Sequence, residues 1–334
     1  FLIASFADLG VPQDICSALA SKGIVDAFPI QEMTLPLAMS GQDLIGQAKT
    51  GTGKTLGFGI PLLTQVITPT NPEWAEFKNA GKPQGLVIVP TRELAIQVAD
   101  DLETAGKNMG ARVLSLYGGK AYEPQVEALK NGVEVIAGTP GRLIDMIKQG
   151  HLDLSAIKVL VLDEADEMLN MGFYEDIVSI LSDTPDEKNT WLFSATMPAE
   201  VARIAKKFMA SPVEITVGSK NSGSATVSHE YYCVNARDRY EALKRLADAN
   251  PDIFSVVFCR TKRDTQAVAE KLIEDGYNAA ALHGDLSQAQ RDGVMKSFRG
   301  RQIQMLVATD VAARGIDVDN ITHVVNYQLP DEIE

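Results

Sequence analysis

The chain has 334 residues, 45% of them apolar, and a formal net charge of −13. This length allows two domains, because single hydrophobic cores stop growing at roughly 250–300 residues. The acidic charge argues against a surface covered with nucleic-acid-binding groups but allows a local basic groove. The three distant cysteines argue against a disulfide scaffold or a zinc ribbon. No apolar run reaches the roughly 20 residues of a membrane span and no signal-peptide pattern is present, so we expect a cytoplasmic protein.

Residues 1–218 alternate short apolar runs with helical patterns. Most of these runs are apolar throughout, which is typical of parallel strands buried on both faces. The helical patterns between them predict the βαβ order of a doubly wound α/β domain. The predicted strands are 43–47, 85–90, 113–117, 133–137, 159–162, 190–193 and 213–217, and the predicted helices include 93–107, 123–131 and 199–210. The polar, proline-containing stretch 68–82 is predicted to be a surface insertion.

Residues 219–228 are mostly small and polar, which predicts a linker. The alternation then starts again, so a second α/β domain of similar type, shortened at its C-terminal side, is predicted over residues 229–334. Its predicted strands are 229–235, 255–259, 279–282, 305–308 and 323–327, and its predicted helices are 238–249, 263–275 and 288–299.

The segment Ala48-Lys49-Thr50-Gly51-Thr52-Gly53-Lys54-Thr55 follows a predicted strand and opens a helix. It predicts a phosphate-binding loop, because its glycines let backbone N–H groups face phosphates, its lysine reaches the β and γ oxygens and its last threonine ligates magnesium. Ala48 stands where the first glycine of this motif is usual. The alternative is a glycine-rich turn with an exposed lysine, which the flanking strand and helix disfavour.

The acidic segment Asp163-Glu164-Ala165-Asp166 follows the apolar run 159–162. Its first two residues therefore lie at the carboxyl edge of a central strand, where open α/β sheets bind ligands. Two carboxylates there are costly without a cation. The alternative, a solvated acidic helix start, fits Asp166 and Glu167 better than the first two. Together with the phosphate loop, this segment predicts magnesium-dependent hydrolysis of a nucleoside triphosphate.

An ordered series of motifs covers nearly the whole chain. It consists of Phe6, Gly23-Ile24-Val25-Asp26-Ala27-Phe28-Pro29-Ile30-Gln31, the phosphate loop, Pro90-Thr91-Arg92-Glu93-Leu94-Ala95, Gly118-Gly119, Thr139-Pro140-Gly141-Arg142, the acidic segment, Ser194-Ala195-Thr196, Phe258-Cys259-Arg260-Thr261, His283-Gly284, Gln288 with Arg291, and Ala308-Thr309-Asp310-Val311-Ala312-Ala313-Arg314-Gly315-Ile316-Asp317. In this order the series resembles the DEAD-box ATP-dependent RNA helicases. The resemblance implies two RecA-like α/β domains, each a parallel sheet flanked by helices, that use ATP and Mg²⁺ to remodel or locally unwind RNA.

The resemblance also implies catalytic roles for Lys54, Asp163 and Glu164. Asp163 holds magnesium with Thr55, largely through water, and Glu164 activates the attacking water. The four histidines are dispersed, so we predict no metal site beyond the magnesium of the nucleotide. The residues implied to couple hydrolysis to strand separation are Asp166, Ser194, Thr196, Asp310 and Arg314.

Gln31 is implied to recognise adenine, because its amide both donates and accepts hydrogen bonds. Two neighbouring positions depart from the family, since Ile24 replaces an aromatic residue and Ala27 replaces a proline. We therefore expect aliphatic contact with adenine in place of stacking. The nucleotide contacts implied by the resemblance are Phe6, Ile24, Gln31, Thr50, Gly51, Thr52, Gly53, Lys54, Thr55 and Asp317.

RNA is implied as the partner, bound through phosphates and sugars with little sequence information, while a 2′-hydroxyl separates RNA from DNA. Any single arginine in the set could equally form a surface ion pair, so the prediction rests on the set. The implied RNA contacts are Pro90, Thr91, Arg92, Gly119, Thr139, Gly141, Arg142, Arg260, Gln288, Arg291 and Thr309.

A His-Arg-x-Gly-Arg-x-Gly-Arg segment is expected shortly after Pro330-Asp331, and the sequence does not contain it. The resemblance places an arginine finger there, so we expect residues 1–334 alone to bind ATP but to hydrolyse it weakly.

Two alternative functions stay open. A non-unwinding, ATP-gated RNA clamp or scaffold would use the same motifs, and a DNA translocase is less favoured because Gln31 and the acidic segment match the RNA group.

Overall fold

The computed structural model describes residues 4–48, 51–216, 227–313, 318 and 320–329. Contacts divide the chain into two compact units, Phe1–Ser222 and Gly223–Glu334. Most of the predicted linker, 219–226, lies outside the described residues. The domain boundaries at 218 and 229 therefore stay predictions.

The first unit is a parallel sheet with helices on both faces, as the sequence predicts. Its helices are α1 Gln13–Ala20, α2 Pro29–Met39, α3 Lys54–Gln65, α4 Arg92–Gly106, α5 Tyr122–Asn131, α6 Pro140–Lys148, α7 Ala165–Asn170, α8 Tyr174–Ser182 and α9 Ala199–Phe208. Its strands are β1 Leu44–Gln47, β2 Gly85–Ile88, β3 Val113–Leu116, β4 Val135–Gly138, β5 Val159–Asp163, β6 Asn189–Ser194 and β7 Val213–Thr216. The seven strands lie in the order β3-β4-β2-β5-β6-β1-β7 and all pair in parallel.

Two apolar layers cover the faces of this sheet, and successive strand residues enter opposite layers. On β5, Val159 and Val161 join one core cluster, while Leu160 and Leu162 join the other. A strand covered on both faces is apolar at every position, because successive side chains point to opposite sides. This explains why the sequence shows continuous apolar runs instead of alternation, and it confirms the predicted fold class.

A half-buried ion pair joins the starts of β3 and β4. Arg112 Nη2 lies 2.5 Å from Glu134 Oε1, and the Arg112 backbone N–H donates to Glu134 Oε2 at 2.8 Å. The guanidinium also lies over Trp74, 5.6 Å from the ring centroid. Trp74 belongs to a short 3-10 helix, Pro72–Glu76, so this pair attaches the largely exposed 68–82 segment to the sheet.

The second unit contains a smaller parallel sheet. Its strands lie in the order β11-β8-β10-β9. The strands are β8 Ser255–Phe258, β9 Ala279–Leu282, β10 Met305–Ala308 and β11 His323–Asn326, and the helices are α10 Arg239–Ala249, α11 Lys262–Glu274, α12 Gln288–Arg299 and α13 Asp310–Ala313.

The predicted strand at 229–235 is wrong in this structure. These residues carry no secondary structure, and Tyr231 is 89% exposed. The Tyr and Val pattern suits a strand only where a neighbouring strand supplies the ladder hydrogen bonds. Within the described part of the chain, no strand pairs with this segment.

None of the described helices has the length and apolarity needed to cross a membrane.

Candidate functional site

Three of the predicted motifs meet at the carboxyl edge of the first sheet. The phosphate loop follows β1, the acidic segment follows β5, and Ser194 ends β6. Because β6 lies between β1 and β5 and all three strands run in parallel, their carboxyl ends are neighbours. Segments separated by more than a hundred residues in the sequence thus form one site.

The phosphate loop enters α3 through two glycines with left-handed backbone. Gly51 has φ 78° and Gly53 has φ 81°, a region that other residues rarely adopt. Gly53 immediately precedes Lys54, the first residue of α3, so the N-terminus of a 12-residue helix faces this edge. Such an N-terminus offers unpaired N–H groups to an anion. Lys49 and Thr50 lie outside the described residues.

Lys54 and Asp163 form a buried pair of opposite charges. The Lys54 Nζ lies 3.6 Å from Asp163 Oδ1, which is longer than a hydrogen bond. Among the described residues, Nζ has no hydrogen-bond acceptor. Burial raises the pKa of the Asp163 carboxyl, and the nearby Lys54 charge opposes that increase. The site therefore holds a cation in need of acceptors and a carboxylate that a further cation would stabilise.

Glu164, which follows Asp163 in the chain, has a strained backbone. Its φ is 53°, and its N–H donates to Asp163 Oδ1 at 3.0 Å. A non-glycine residue in this region costs roughly 1–3 kcal/mol, and such strain concentrates at functional sites. Glu164 is half-buried and immediately precedes the first residue of α7.

The structure joins the acidic segment to the end of β6. The Asp166 backbone N–H donates to Ser194 Oγ at 3.2 Å, and Asp166 Oδ2 accepts from both the N–H and the Oγ1 of Thr196 at 2.8 Å. The three residues thus form one hydrogen-bonded cluster beside Lys54 and Asp163. Their role in coupling hydrolysis to strand separation stays a prediction.

Gln31 is buried and bonded to the protein at both ends of its amide. Its Oε1 accepts from the Phe28 N–H at 2.8 Å, and its Nε2 donates to the Gly53 carbonyl at 2.8 Å. It thus fastens the start of α2 to the phosphate loop, and adenine recognition stays a prediction. Phe6 is buried in the core and Ile24 is partly exposed, so their nucleotide contacts also stay predictions. Phe28, an exposed aromatic residue beside the loop, belongs to none of the contacts predicted from the sequence.

The predicted RNA contacts of the first unit follow β2, β3 and β4, on the other half of the same sheet edge. The side chains of Arg92 and Arg142 each lie over an aromatic ring. Arg92 lies 5.0 Å from the Tyr117 centroid, and Arg142 lies 5.3 Å from the Tyr122 centroid. Thr91 caps α4 by accepting from the Leu94 N–H. The others in this set are Pro90, Gly119, Thr139 and Gly141, of which Gly119 and Gly141 are exposed.

The predicted contacts of the second unit also gather at the carboxyl edge of its sheet. Arg291 on α12 donates to the Ala312 carbonyl at 3.3 Å, and Thr309 accepts from the Ala312 N–H. Arg260 follows β8 and is exposed. The remaining predicted residues are Gln288, which begins α12, Asp310, which is exposed at the start of α13, and Arg314 and Asp317, which lie outside the described residues.

The family models cover most of the chain. A DEAD/DEAH box helicase model matches residues 28–204, and a helicase conserved C-terminal domain model matches residues 238–334. The chain belongs to the DEAD/DEAH box helicase family. Within the described part of this family member, no three His, Cys, Asp or Glu side chains are grouped to hold a metal.

Relatives and solved structures agree with this membership. The chain is 46% identical over 332 residues to the DEAD-box ATP-dependent RNA helicase CshA of Geobacillus kaustophilus, covering 99% of this chain and 69% of that protein. For CshA of Streptococcus pneumoniae the identity is 43%, covering 98% and 61%. The chain therefore spans about three fifths to two thirds of these relatives.

Among solved structures, a DEAD box protein from Methanococcus jannaschii is 42% identical, covering 98% of this chain and 85% of that one, with a TM-score of 0.59. Dbp5 of S. cerevisiae, solved bound to RNA and ADP BeF3, is 30% identical, covering 98% and 81%, with a TM-score of 0.84.

Proposed function

We propose that the chain is the core of an ATP-dependent RNA helicase that binds the RNA backbone and locally unwinds or remodels RNA duplexes as it hydrolyses ATP. The observation that carries this proposal is the buried Lys54 ammonium, which lacks a hydrogen-bond acceptor among the described residues. Phosphate oxygens on the adjacent loop would supply charge-assisted acceptors. The names of the CshA relatives and the RNA in the Dbp5 structure support ATP and RNA as substrates.

The residues at this edge also fit Mg²⁺ bound with the nucleotide. Asp163, a buried carboxylate whose pKa is raised by burial, and the Thr55 hydroxyl would hold it, largely through water. When bound, the metal would neutralise charge that develops on the transferred phosphate. Glu164 then takes the proton of the attacking water. We further assign residues 1–218 and 229–334 to the two RecA-like domains and the protein to the cytoplasm.

Replacing Lys54 by alanine is expected to weaken ATP binding about 10- to 100-fold, the equivalent of one or more hydrogen bonds from a charged donor. Equilibrium titration with ATP and Mg²⁺ measures this. Lys206→Ala is the matched control, because Lys206 is exposed near the end of α9, which leads to the opposite edge of the sheet. Unchanged ATP affinity in Lys54→Ala would remove the phosphate-loop assignment.

Replacing Arg142 or Arg291 by alanine is expected to weaken RNA binding similarly across sequences and to reduce the salt slope of the affinity by about one unit each. Fluorescence anisotropy at several salt concentrations measures both quantities. Arg203→Ala is the control for Arg142, because it also lies over a tyrosine, 5.9 Å from the Tyr174 centroid. Arg299→Ala, at the exposed end of α12, is the control for Arg291. A loss confined to one RNA sequence would indicate base readout and contradict the assignment.

Two assays separate the alternatives. A strand-displacement assay with a labelled RNA duplex distinguishes a helicase from an RNA clamp, which would bind RNA in an ATP-dependent way without releasing a strand. Comparing ATP hydrolysis stimulated by RNA and by DNA of equal sequence distinguishes an RNA enzyme from a DNA translocase. We expect strand release and stimulation by RNA in a chain extended past Glu334 with the His-Arg-x-Gly-Arg-x-Gly-Arg segment, and little of either from residues 1–334 alone.

A further inference from the structure

The start of α2 presents an apolar surface beside the phosphate loop. Phe28 is 57% exposed there, and Ile24, Val25 and Met33 are also exposed. Among these four side chains, Phe28 is the aromatic one. Its ring is therefore the group on this surface that could stack on a planar ligand.

The ring of Phe28 contacts the loop glycine that precedes Lys54. A Cβ placed on Gly53 would lie 2.6 Å from Phe28 Cδ2 and 2.7 Å from Gln31 Nε2. The aromatic ring and the amide thus contact the same residue of the phosphate loop, and glycine is needed there for space as well as for its positive φ. The backbone of Phe28 is held by its hydrogen bond to Gln31 Oε1.

Phe28 occupies the N-cap position of α2, where a polar side chain is usual. It immediately precedes α2, where Ser, Thr, Asp or Asn would cap the helix with a side-chain oxygen. A phenylalanine lacks the oxygen and, at this position, leaves more than half of its surface exposed. A planar ligand that covers the ring would bury this exposed apolar surface.

We propose that Phe28 provides the aromatic face on which the base of the nucleoside triphosphate stacks. This proposal rests on the proposed function, because it assigns Phe28 to the nucleotide site that the phosphate loop forms. Ile24 offers only aliphatic contact, so Phe28 supplies the aromatic contact that Ile24 lacks. Because every base has a π-face, this contact favours a base over no base without selecting adenine.

The test compares ligands that share the phosphates but differ in the base. We would titrate the whole chain with ATP, GTP and inorganic tripolyphosphate, each with Mg²⁺, in the parent and in Phe28→Ala, Phe28→Tyr and Met33→Ala. Phe28→Ala is expected to bind ATP and GTP about tenfold more weakly than the parent does, a loss within the range of base–aromatic stacking. It is expected to bind tripolyphosphate as tightly as the parent does. Phe28→Tyr retains the aromatic face and Met33→Ala removes a neighbouring exposed side chain, so both should bind ATP like the parent.

A spectroscopic signature reports stacking directly. Phe28→Trp should show tryptophan fluorescence that ATP quenches and tripolyphosphate does not, beyond the response of the two native tryptophans in the parent. Parent-like ATP affinity in Phe28→Ala would overturn the proposal. Equal losses for ATP and tripolyphosphate would also overturn it, because the ring would then only support the loop. A parent chain that bound neither ligand would overturn the proposed function itself, and this proposal with it.

Discussion

Replacing Glu164 by glutamine is expected to lower the rate of ATP hydrolysis by about 10²- to 10⁴-fold, the usual contribution of a general base. Glutamine preserves the shape of the side chain and cannot take a proton from water. The backbone hydrogen bond from residue 164 to Asp163 Oδ1 does not involve the replaced group, so the loop should keep its strained conformation. Binding of ATP and RNA should therefore stay close to that of the parent.

The measurement is phosphate release at saturating ATP and RNA by a chain extended past Glu334 with the arginine-finger segment, with the affinities for ATP and RNA determined separately. Glu175→Gln is the matched control, because Glu175 is an exposed glutamate in the first turn of α8. It should hydrolyse ATP like the parent. Hydrolysis at the parent rate by Glu164→Gln would show that another group activates the water, and loss of ATP binding would assign Glu164 to affinity instead of chemistry.

Replacing Arg112 by alanine is expected to destabilise the first unit by about 3 kcal/mol, the lower end of the range for breaking a buried ion pair. The loss is large because the Glu134 side chain is 0% exposed and would keep a buried charge without a counterion. It lies at the lower end because the Arg112 side chain is 38% exposed, so water can reach this end of the pair. Hydrogen bonding to Glu134 raises the pKa of Arg112, so the arginine stays charged.

Urea unfolding at neutral pH measures this change. The double variant Arg112→Ala/Glu134→Gln should regain part of the stability, because no uncompensated charge stays buried. Lys82→Ala is the control, since Lys82 and Asp153 form an exposed pair 2.8 Å apart, with side chains 41% and 56% exposed. Exposed pairs contribute about 0–1 kcal/mol. If Arg112→Ala lost no more stability than Lys82→Ala, Glu134 would have to find other stabilisation.

The sequence predicts most strands of both sheets because burial on both faces leaves a continuous apolar run. β2 and β5 are predicted within one or two residues of their observed ends, and every residue of both is buried. The segment 229–235 fails the same test, since its tyrosines and valine indicate a strand only where a neighbour pairs with it. Pairing is decided by residues far away in the chain, which a local pattern does not contain.

The sequence by itself determined the family, the fold class and the two segments that make the candidate nucleotide site, because glycine, lysine and carboxylate chemistry is local to each motif. The tertiary structure decided what those groups contact. Placing β6 between β1 and β5 brings Lys54 within 3.6 Å of Asp163 and joins Asp166 to Thr196. The packing of α2 against the phosphate loop also bonds both ends of the Gln31 amide to the protein and places the Phe28 ring against Gly53. These contacts follow from strand order and from packing between distant segments, and no spacing along the chain specifies either.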